Sequence, residues 1–116
     1  GSLKMGAHVN AVGAYTPQMQ EVPTETVARA RVFVDSRTAC LAEAGDIIIP
    51  IQQGRLQEDH IHAEIGEVAA GLKPGRMSDD EVTLFKSVGI AAQDVAVAGR
   101  ILTAAENCGY GLEVSL

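Results

Sequence analysis

The chain alternates short apolar runs with polar segments that are rich in glycine and proline. Three of the runs are too short for a typical helix and are bounded by turn residues, which predicts buried strands. These predicted strands cover residues 8–12, 31–35 and 82–87. The polar segment at residues 78–81 matches a helix capping box, but the strand-favouring residues that follow it predict a simple turn there.

Four further segments have the spacing of helices. One begins within residues 23–26 and turns Val27 and Ala30 inward. A second covers residues 37–44, with Asp35 or Ser36 as its cap and Gly45 as its stop. The remaining two are predicted over residues 61–70 and over residues 90–108, where Gly109 ends the helix. Residues 46–51 form an apolar run that leads into a turn and are given no helix or strand.

The alternation of strands and helices is typical of an α/β fold with a parallel sheet. We therefore predict a single domain over residues 1–116, with a small three-stranded parallel sheet and flanking helices. Such a sheet is small, because sheets average about five strands and a parallel sheet needs both faces covered. The sequence thus resembles half of a larger unit, with a sheet edge left exposed.

Composition narrows the choice of partners. Nine Lys and Arg against fifteen Asp and Glu give a net charge of −6, and the only aromatic residues are two Tyr and two Phe. This balance argues against nucleic acid and against anionic membranes as partners. No apolar run approaches the ~20 residues that span a bilayer, and no signal peptide is visible. Cys40 and Cys108 form no disulfide or metal pattern, so we expect buried, inert thiols and a cytoplasmic protein.

The carboxyl ends of the predicted strands are the main candidate site, because ligands of open parallel sheets bind there. These ends lie at residues 10–14, 35–36 and 86–89. Gly13 and Gly89 would let a flat ligand approach the backbone. The N–H groups at the start of the last helix favour an anion or a polarised carbonyl. In the competing interpretation, residues 35–36 only cap a helix and the two glycines only turn the chain.

Other candidate side chains carry weaker signals. Lys86 is either a cation placed near a substrate or a side chain that snorkels to water. His8 opens a strand and is predicted to be a hydrogen-bonded structural residue. His60 and His62 lie two positions apart, on different faces of a helix, and no other residue completes a metal pattern, so no metal is predicted. The acidic residues nearby are expected to form a solvated helix face: Asp59, Glu64 and Glu67.

One motif is missing. A dinucleotide site needs a Gly-x-Gly-x-x-Gly turn directly after a strand, where it holds the pyrophosphate. The chain has no such turn, and Gly109 and Gly111 follow a predicted helix instead of a strand.

Six sequence blocks occur in a distinctive order along the chain. They are residues 8–14 (HVNAVGA), 21–22 (EV), 32–36 (VFVDS), 43–46 (EAGD), 66–71 (GEVAAG) and 83–89 (TLFKSVG). In this order they resemble the ornithine cyclodeaminase/mu-crystallin family, and the resemblance extends from Leu3 to Gly111. Members of that family are much longer NAD(P)-dependent enzymes or binding proteins with a Rossmann domain and a separate substrate and dimerisation domain.

The resemblance implies that this chain corresponds to the C-terminal third of a member, which holds the second half of the Rossmann domain. The Gly-rich turn and the residues that hold the substrate carboxylate then lie upstream, so no catalytic residue is assigned here. Complete members use NAD or NADP, and we expect this chain alone to bind neither tightly. The resemblance places eight residues on the nicotinamide side of the complete cofactor site: Asn10, Ala11, Val12, Gly13, Lys86, Ser87, Val88 and Gly89.

Tyr15 departs from part of the family. Members that deaminate ornithine or alanine carry an Asp at this position, and a Tyr with an ordinary pKa of ~10 cannot replace a carboxylate at neutral pH. The resemblance therefore implies an imino-acid reductase more than a cyclodeaminase.

Two functions from different classes follow. In the first, the chain is a truncated, inactive part of an NAD(P)-dependent oxidoreductase. In the second, Met5 is a natural start and the chain is a stand-alone binding or assembly module. In either case we expect a homo-oligomer, since an exposed sheet edge is an association site.

Overall fold

The computed structural model describes residues 3–112 and residue 114. Its strands are β1 (His8–Ala11), β2 (Arg31–Val34), β3 (Ile61–Glu64) and β4 (Thr83–Lys86). Its α-helices are α1 (Thr24–Arg29), α2 (Arg37–Glu43), α3 (Gly45–Gln52), α4 (Ile65–Ala69) and α5 (Ala91–Cys108), and a short 3-10 helix covers Glu58–His60.

The four strands form one parallel sheet in the order β1-β4-β2-β3. This confirms the predicted α/β class with flanking helices, but the prediction of three strands was wrong. The strand that was missed is β3, which lies inside the segment predicted as a helix over residues 61–70. Only the end of that segment is helical, as the short α4.

The spacing of apolar residues explains the missed strand. Ile61, Ile65 and Val68 fit one face of a helix, yet Ile61 and Ala63 are both buried while the residues after each of them are half-buried. That alternation is the period of a strand. Because β3 is only four residues long, its sequence pattern can also be read as part of a helix.

Helix α2 ends at Glu43, close to its predicted end, but Gly45 is not a loop residue after it. It begins α3, and its N–H donates to the Thr16 carbonyl. A Cβ at this position would collide with the Met19 carbonyl oxygen, so the glycine permits a close approach between two segments. The apolar run at residues 46–51 thereby becomes helical, with Pro50 inside the helix.

The core lies between one face of the sheet and helices α1 to α3. Val32, Val34 and Leu84 project from the two central strands and are fully buried. Val27 and Ala30 pack on them from the α1 segment, as predicted. Because this layer holds the two central strands rigidly, it also fixes where their carboxyl ends lie.

Helix α5 follows the prediction closely: it ends at Gly109, which has a left-handed conformation with φ of 69°. None of its residues is buried. Val95, Val97, Ile101 and Leu102 are each more than half exposed, which is unusual for apolar residues on one helix. No helix in the described part of the chain has the length and hydropathy required to cross a bilayer.

Candidate functional site

The carboxyl ends of three adjacent strands meet at one edge of the sheet. Ala11, Lys86 and Val34 are in register across β1, β4 and β2. The chain leaves each strand directly after these positions, so residues 10–13, 35–36 and 86–89 lie side by side. We call these three segments together the carboxyl edge. The sequence predicted this juxtaposition.

Asp35 is the centre of the carboxyl edge. Its Oδ2 accepts hydrogen bonds from the Ser87 hydroxyl at 2.6 Å and from the N–H groups of Val88 and Gly89 at 3.0 Å each. Its Oδ1 accepts from the Ser36 N–H at 2.7 Å and from the Cys40 thiol at 3.4 Å. One buried carboxylate therefore connects the end of β2 to the turn that follows β4.

These contacts decide the ionisation of Asp35. Burial acts to raise the pKa of this carboxyl, but the hydrogen bonds from Ser87, Ser36 and Cys40 outweigh it, and the pKa lies below its ordinary value of 3.8. Asp35 is thus a carboxylate at neutral pH. The helix cap is Ser36, whose hydroxyl accepts from the Ala39 N–H at 3.3 Å, which settles the choice between the two predicted caps.

Glu21 plays a similar part at the end of β1. Its Oε1 accepts from the Gly13 N–H at 2.7 Å, and a Cβ on Gly13 would collide with the same carboxylate. Burial acts to raise the pKa of Glu21, but hydrogen bonds from the backbone of Ala14 and Gly13 and from Lys86 hold it below its ordinary value. The turn after β1 is therefore also held by hydrogen bonds to a carboxylate, as the turn after β4 is.

Lys86 supports this arrangement from inside the protein. Its side chain is fully buried, and its Nζ lies 3.1 Å from Glu21 Oε1 and 3.1 Å from Asp46 Oδ2. Asp46 is also fully buried, and its Oδ1 accepts from the N–H groups of Glu21 and Val22. The interpretation of Lys86 as a side chain that snorkels to water is therefore wrong. Its ammonium belongs to a buried ion pair, and only its backbone lies at the carboxyl edge.

The predicted edge residues differ in exposure. Asn10, Val12, Gly13 and Gly89 are exposed, whereas the rest of the predicted set is buried or half-buried: Ala11, Lys86, Ser87 and Val88. Gly89 has φ of 90°, a conformation that favours glycine. Of the four exposed positions, Gly13 and Gly89 have no side chain, so a flat ligand could approach the backbone at these two points.

The histidines take structural positions. His8 Nδ1 lies 2.7 Å from the Thr83 hydroxyl and its Nε2 lies 3.1 Å from Asn10 Oδ1, as its predicted structural role requires. His60 and His62 do not share a helix: His60 Nε2 is 2.8 Å from the Val27 carbonyl, and His62 packs edge-on against Phe33. Within residues 3–112 and 114, no cluster of His, Cys, Asp or Glu has an arrangement that could hold a metal ion.

Two predictions about single residues were wrong. Cys40 is buried, and burial with the nearby Asp35 charge raises its pKa to about 12, but Cys108 is exposed. Glu64 and Glu67 do not form a solvated helix face. They form a reciprocal capping box at the start of α4, with Glu67 Oε2 accepting from the Glu64 N–H at 2.8 Å.

The roles of Glu21 and Asp46 were missed from the sequence. Both residues occur in the ordered blocks, at residues 21–22 and 43–46, and that was the only available signal. Their contact with Lys86 depends on tertiary structure, because 65 positions separate Glu21 from Lys86.

Comparison with known proteins places the chain in a defined group. The model of the ornithine cyclodeaminase/mu-crystallin family matches residues 2–108. The Delta(1)-pyrroline-2-carboxylate reductase of Bacillus cereus is 48% identical over 110 residues, which is 94% of this chain and 34% of the relative. Ketimine reductase mu-crystallin of Mus musculus is 42% identical over 83% of this chain and 28% of its own length.

Solved structures agree with these relatives. The Delta(1)-pyrroline-2-carboxylate reductase of Thermococcus litoralis, in complex with NADH and L-proline, superimposes with a TM-score of 0.87 at 43% identity. The match covers 97% of this chain and 35% of that protein. The chain therefore spans about a third of the length of the relatives it matches, and its fold corresponds to the C-terminal part of a Rossmann-like domain.

Proposed function

Because the chain belongs to the ornithine cyclodeaminase/mu-crystallin family, we propose that it supplies the nicotinamide side of the cofactor site in an NAD(P)-dependent imino-acid reductase. The observation that carries this proposal is the carboxyl edge, where three parallel strands end together and present backbone around Gly13 and Gly89. Ligands of open parallel sheets bind at such an edge. The eight residues of the proposed contact are Asn10, Ala11, Val12, Gly13, Lys86, Ser87, Val88 and Gly89.

A cyclic imino acid is the proposed substrate class of the complete protein. Several relatives with 43–48% identity are pyrroline-2-carboxylate reductases. Tyr15 lies in the loop after Gly13 and is 60% exposed. Tyr15 has no carboxylate, so the position suits reduction of an imine better than a role that requires one.

The substrate proposal is tested with a complete protein that contains this chain. Reduction of pyrroline-2-carboxylate, followed by the loss of NADH absorbance, is expected. Turnover of ornithine that disappears on Tyr15→Phe would instead support a cyclodeaminase and contradict the proposal.

On its own, the chain is proposed to be inactive and to bind the cofactor weakly. The pyrophosphate turn is absent from the sequence, and each lost charge-assisted hydrogen bond costs about 1.5–3 kcal/mol of binding free energy. Two such losses weaken binding by about 10²–10⁴-fold. Fluorescence titration of NADH and NADPH, with the Bacillus cereus reductase as the positive control, tests this. A micromolar dissociation constant for the chain would contradict it.

A second candidate function is a homo-oligomeric assembly module. It is supported by β1, which among the described residues has a sheet neighbour only on its β4 side, and by the exposed apolar residues of α5. Pairing of two β1 strands would join two four-stranded sheets. The proposed partner is therefore a second copy of this chain, and neither nucleic acid nor a membrane is proposed. Sedimentation at micromolar concentration tests for the oligomer.

A further inference from the structure

We propose that Glu21 is a positioning residue whose side chain holds residues 13–15 beside the carboxyl edge and releases them while the Lys86–Asp46 ion pair stays in place. We call residues 13–15 the Tyr15 segment. This inference goes beyond the proposed function, because it concerns how the chain holds and frees its own backbone and does not depend on a ligand.

The far part of the loop between β1 and α1 is fixed to buried groups. The N–H groups of residues 21–22 donate to Asp46 Oδ1 at 2.8 and 2.9 Å. In the middle of the loop, the Gly45 N–H donates to the Thr16 carbonyl at 3.2 Å. These contacts come from the first turn of α3, so this part of the loop cannot leave without disturbing a packed helix.

The Tyr15 segment is held in a different way. The Gly13 N–H donates to Glu21 Oε1 at 2.7 Å, and the backbone of Ala14 also donates to this carboxylate. Of the three residues in the segment, only Ala14 is buried. The segment therefore depends on one side chain and on the packing of one methyl group.

Three charges meet behind the segment. The carboxylates of Glu21 and Asp46 each lie 3.1 Å from Lys86 Nζ. Lys86 and Asp46 are fully buried, and separating them would leave an uncompensated charge inside the protein, which is strongly unfavourable. In the described part of the chain, Asp46 Oδ2 accepts no aligned hydrogen bond, so the Lys86 ammonium is its compensation.

Glu21 is the surplus charge of this cluster. One ammonium and one carboxylate already balance, and the Glu21 side chain is 36% exposed. Glu21 can therefore rotate into water, where its carboxylate is hydrated, and leave a neutral ion pair behind. This rotation frees the N–H groups of the Tyr15 segment without unfolding the core. Local opening of this kind needs much less free energy than global unfolding.

Two variants detach the Glu21 contact in different ways. Glu21→Gln keeps the shape of the side chain but removes its charge and one acceptor oxygen. Gly13→Ala keeps every charge, because its Cβ would collide only with the Glu21 carboxylate, which is the far end of a flexible side chain. Glu25→Gln makes the same chemical change at an exposed position and is the control.

Amide hydrogen exchange of the 116-residue chain, followed by NMR, tests the proposal. In Glu21→Gln, exchange at Gly13 and Ala14 should rise about tenfold, because a charge-assisted hydrogen bond is lost. The amides of Phe33 and Leu84 lie in the central strands and exchange through global unfolding, so their rates should change by less than about threefold. A side chain with only a structural role would raise all four rates by the same factor.

The other variants sharpen this distinction. Asp46→Asn should raise exchange in the Tyr15 segment and in the central strands by a common factor, because it disrupts the fixed ion pair. Gly13→Ala should raise exchange at Ala14 about tenfold, as Glu21→Gln does. The double variant Gly13→Ala/Glu21→Gln should give no further rise, because both changes break the same contact. Glu25→Gln should match the wild type.

The outcomes decide the inference without any ligand. A common rise at Gly13 and in the central strands of Glu21→Gln, or no rise at Gly13, overturns it. If Glu21→Gln does not fold, a folded Gly13→Ala chain with unchanged exchange at Ala14 overturns it, and so does loss of folding in both variants. Rises that multiply to about a hundredfold in the double variant would show two independent contacts and contradict it. Each of these results leaves the proposed function standing.

Discussion

Lys86 is fully buried, and carboxylates from two distant segments surround its ammonium. From the sequence, its position between buried neighbours left two interpretations, a substrate contact or a snorkelling side chain. Neither interpretation involved Glu21 or Asp46, because these residues are distant in the sequence and contact Lys86 only in the folded structure. The positions of residues at strand ends could be predicted from local pattern, but their partners could not.

Replacement of Lys86 by Met is expected to destabilise the fold strongly. It removes the cation beside Asp46, whose carboxylate is also fully buried, and an uncompensated buried charge costs about 3–5 kcal/mol of unfolding free energy. Urea denaturation measures the loss, with Lys4→Met at an exposed position as the control. The double variant Lys86→Met/Asp46→Asn should recover part of the stability. A loss for Lys86→Met no larger than for Lys4→Met would show that the ion pair is not formed.

Ionisation of Asp35 should account for part of the loss of folding stability in acid. Its pKa in the folded protein lies below 3.8, so the ionised form stabilises the fold. That contribution is complete above pH 3.8 and is lost as the pH falls through the lower folded pKa. The pKa values of other carboxylates, such as Glu67 and Glu81, also lie below their ordinary value, so these groups contribute to the acid sensitivity as well. The informative quantity is therefore the difference between the wild type and Asp35→Asn.

In urea titrations at several pH values, this difference should be constant in the neutral range and shrink in acid. The difference in unfolding free energy between the wild type and Asp35→Asn could instead stay the same down to roughly one pH unit below the ordinary pKa of an aspartate. That result would mean that the fold does not stabilise Asp35 as a carboxylate.

The two cysteines should react very differently with thiol reagents. Only the thiolate reacts, and the pKa of buried Cys40 is raised to about 12, while Cys108 is exposed at the end of α5. Titration of the native chain should therefore show one fast thiol. Cys108→Ser should abolish it, and Cys40→Ser should leave it unchanged. A second fast thiol in the native state would indicate that the region around Asp35 opens readily.

Among the elements, most of the fold could be predicted because pattern and length agreed. The strands near residues 8–12, 31–35 and 82–87 and the helix before Gly109 all form as expected. The exceptions are β3, which is too short to show its own period, and α3, whose Ile-rich run with Pro50 looks unsuited to a helix. In both cases contacts with the rest of the protein decide the local structure.

A matched pair of substitutions should separate the core from α5. Leu84 is fully buried in a central strand, whereas Leu102 on α5 is 61% exposed. Leu84→Ala should cost about 2–5 kcal/mol of unfolding free energy because it leaves a cavity. Leu102→Ala should change the unfolding free energy by less than about 0.5 kcal/mol. Chemical denaturation at low protein concentration measures both. A large loss for Leu102→Ala would show that α5 packs against another surface in solution.

At the scale of the whole molecule, some apolar residues are buried in a core while others are exposed to solvent. Helices α1 to α3 bury one face of the sheet, while α5 leaves its apolar residues exposed and the chain extends 55 Å along its longest axis. In the relatives, about two thirds of the length lies outside the matched region. We propose that either that remainder or a second copy of the chain covers these surfaces.

The proposed homo-oligomer can use the β1 edge or α5, and two variants distinguish these surfaces. The Ala7 carbonyl accepts from the Thr83 N–H and the Ala11 carbonyl from the Ser87 N–H. Alternation along the strand therefore turns the backbone groups of the residues at positions 8 and 10 away from the sheet. Asn10→Pro removes an outward N–H, which an edge strand tolerates but a paired strand does not. Ile101→Glu places a charge on the exposed face of α5 and leaves β1 unchanged.

Sedimentation velocity at micromolar concentration should show a dimer for the wild type and a monomer for Asn10→Pro, because the proposed association pairs two sheet edges. Dissociation by Ile101→Glu alone would identify α5 as the interface and contradict pairing through β1. A wild-type chain that sediments as a 12.1 kDa monomer would contradict both forms of the oligomer. The exposed surfaces would then be left for the remainder of a longer polypeptide, which favours the reductase over the assembly module.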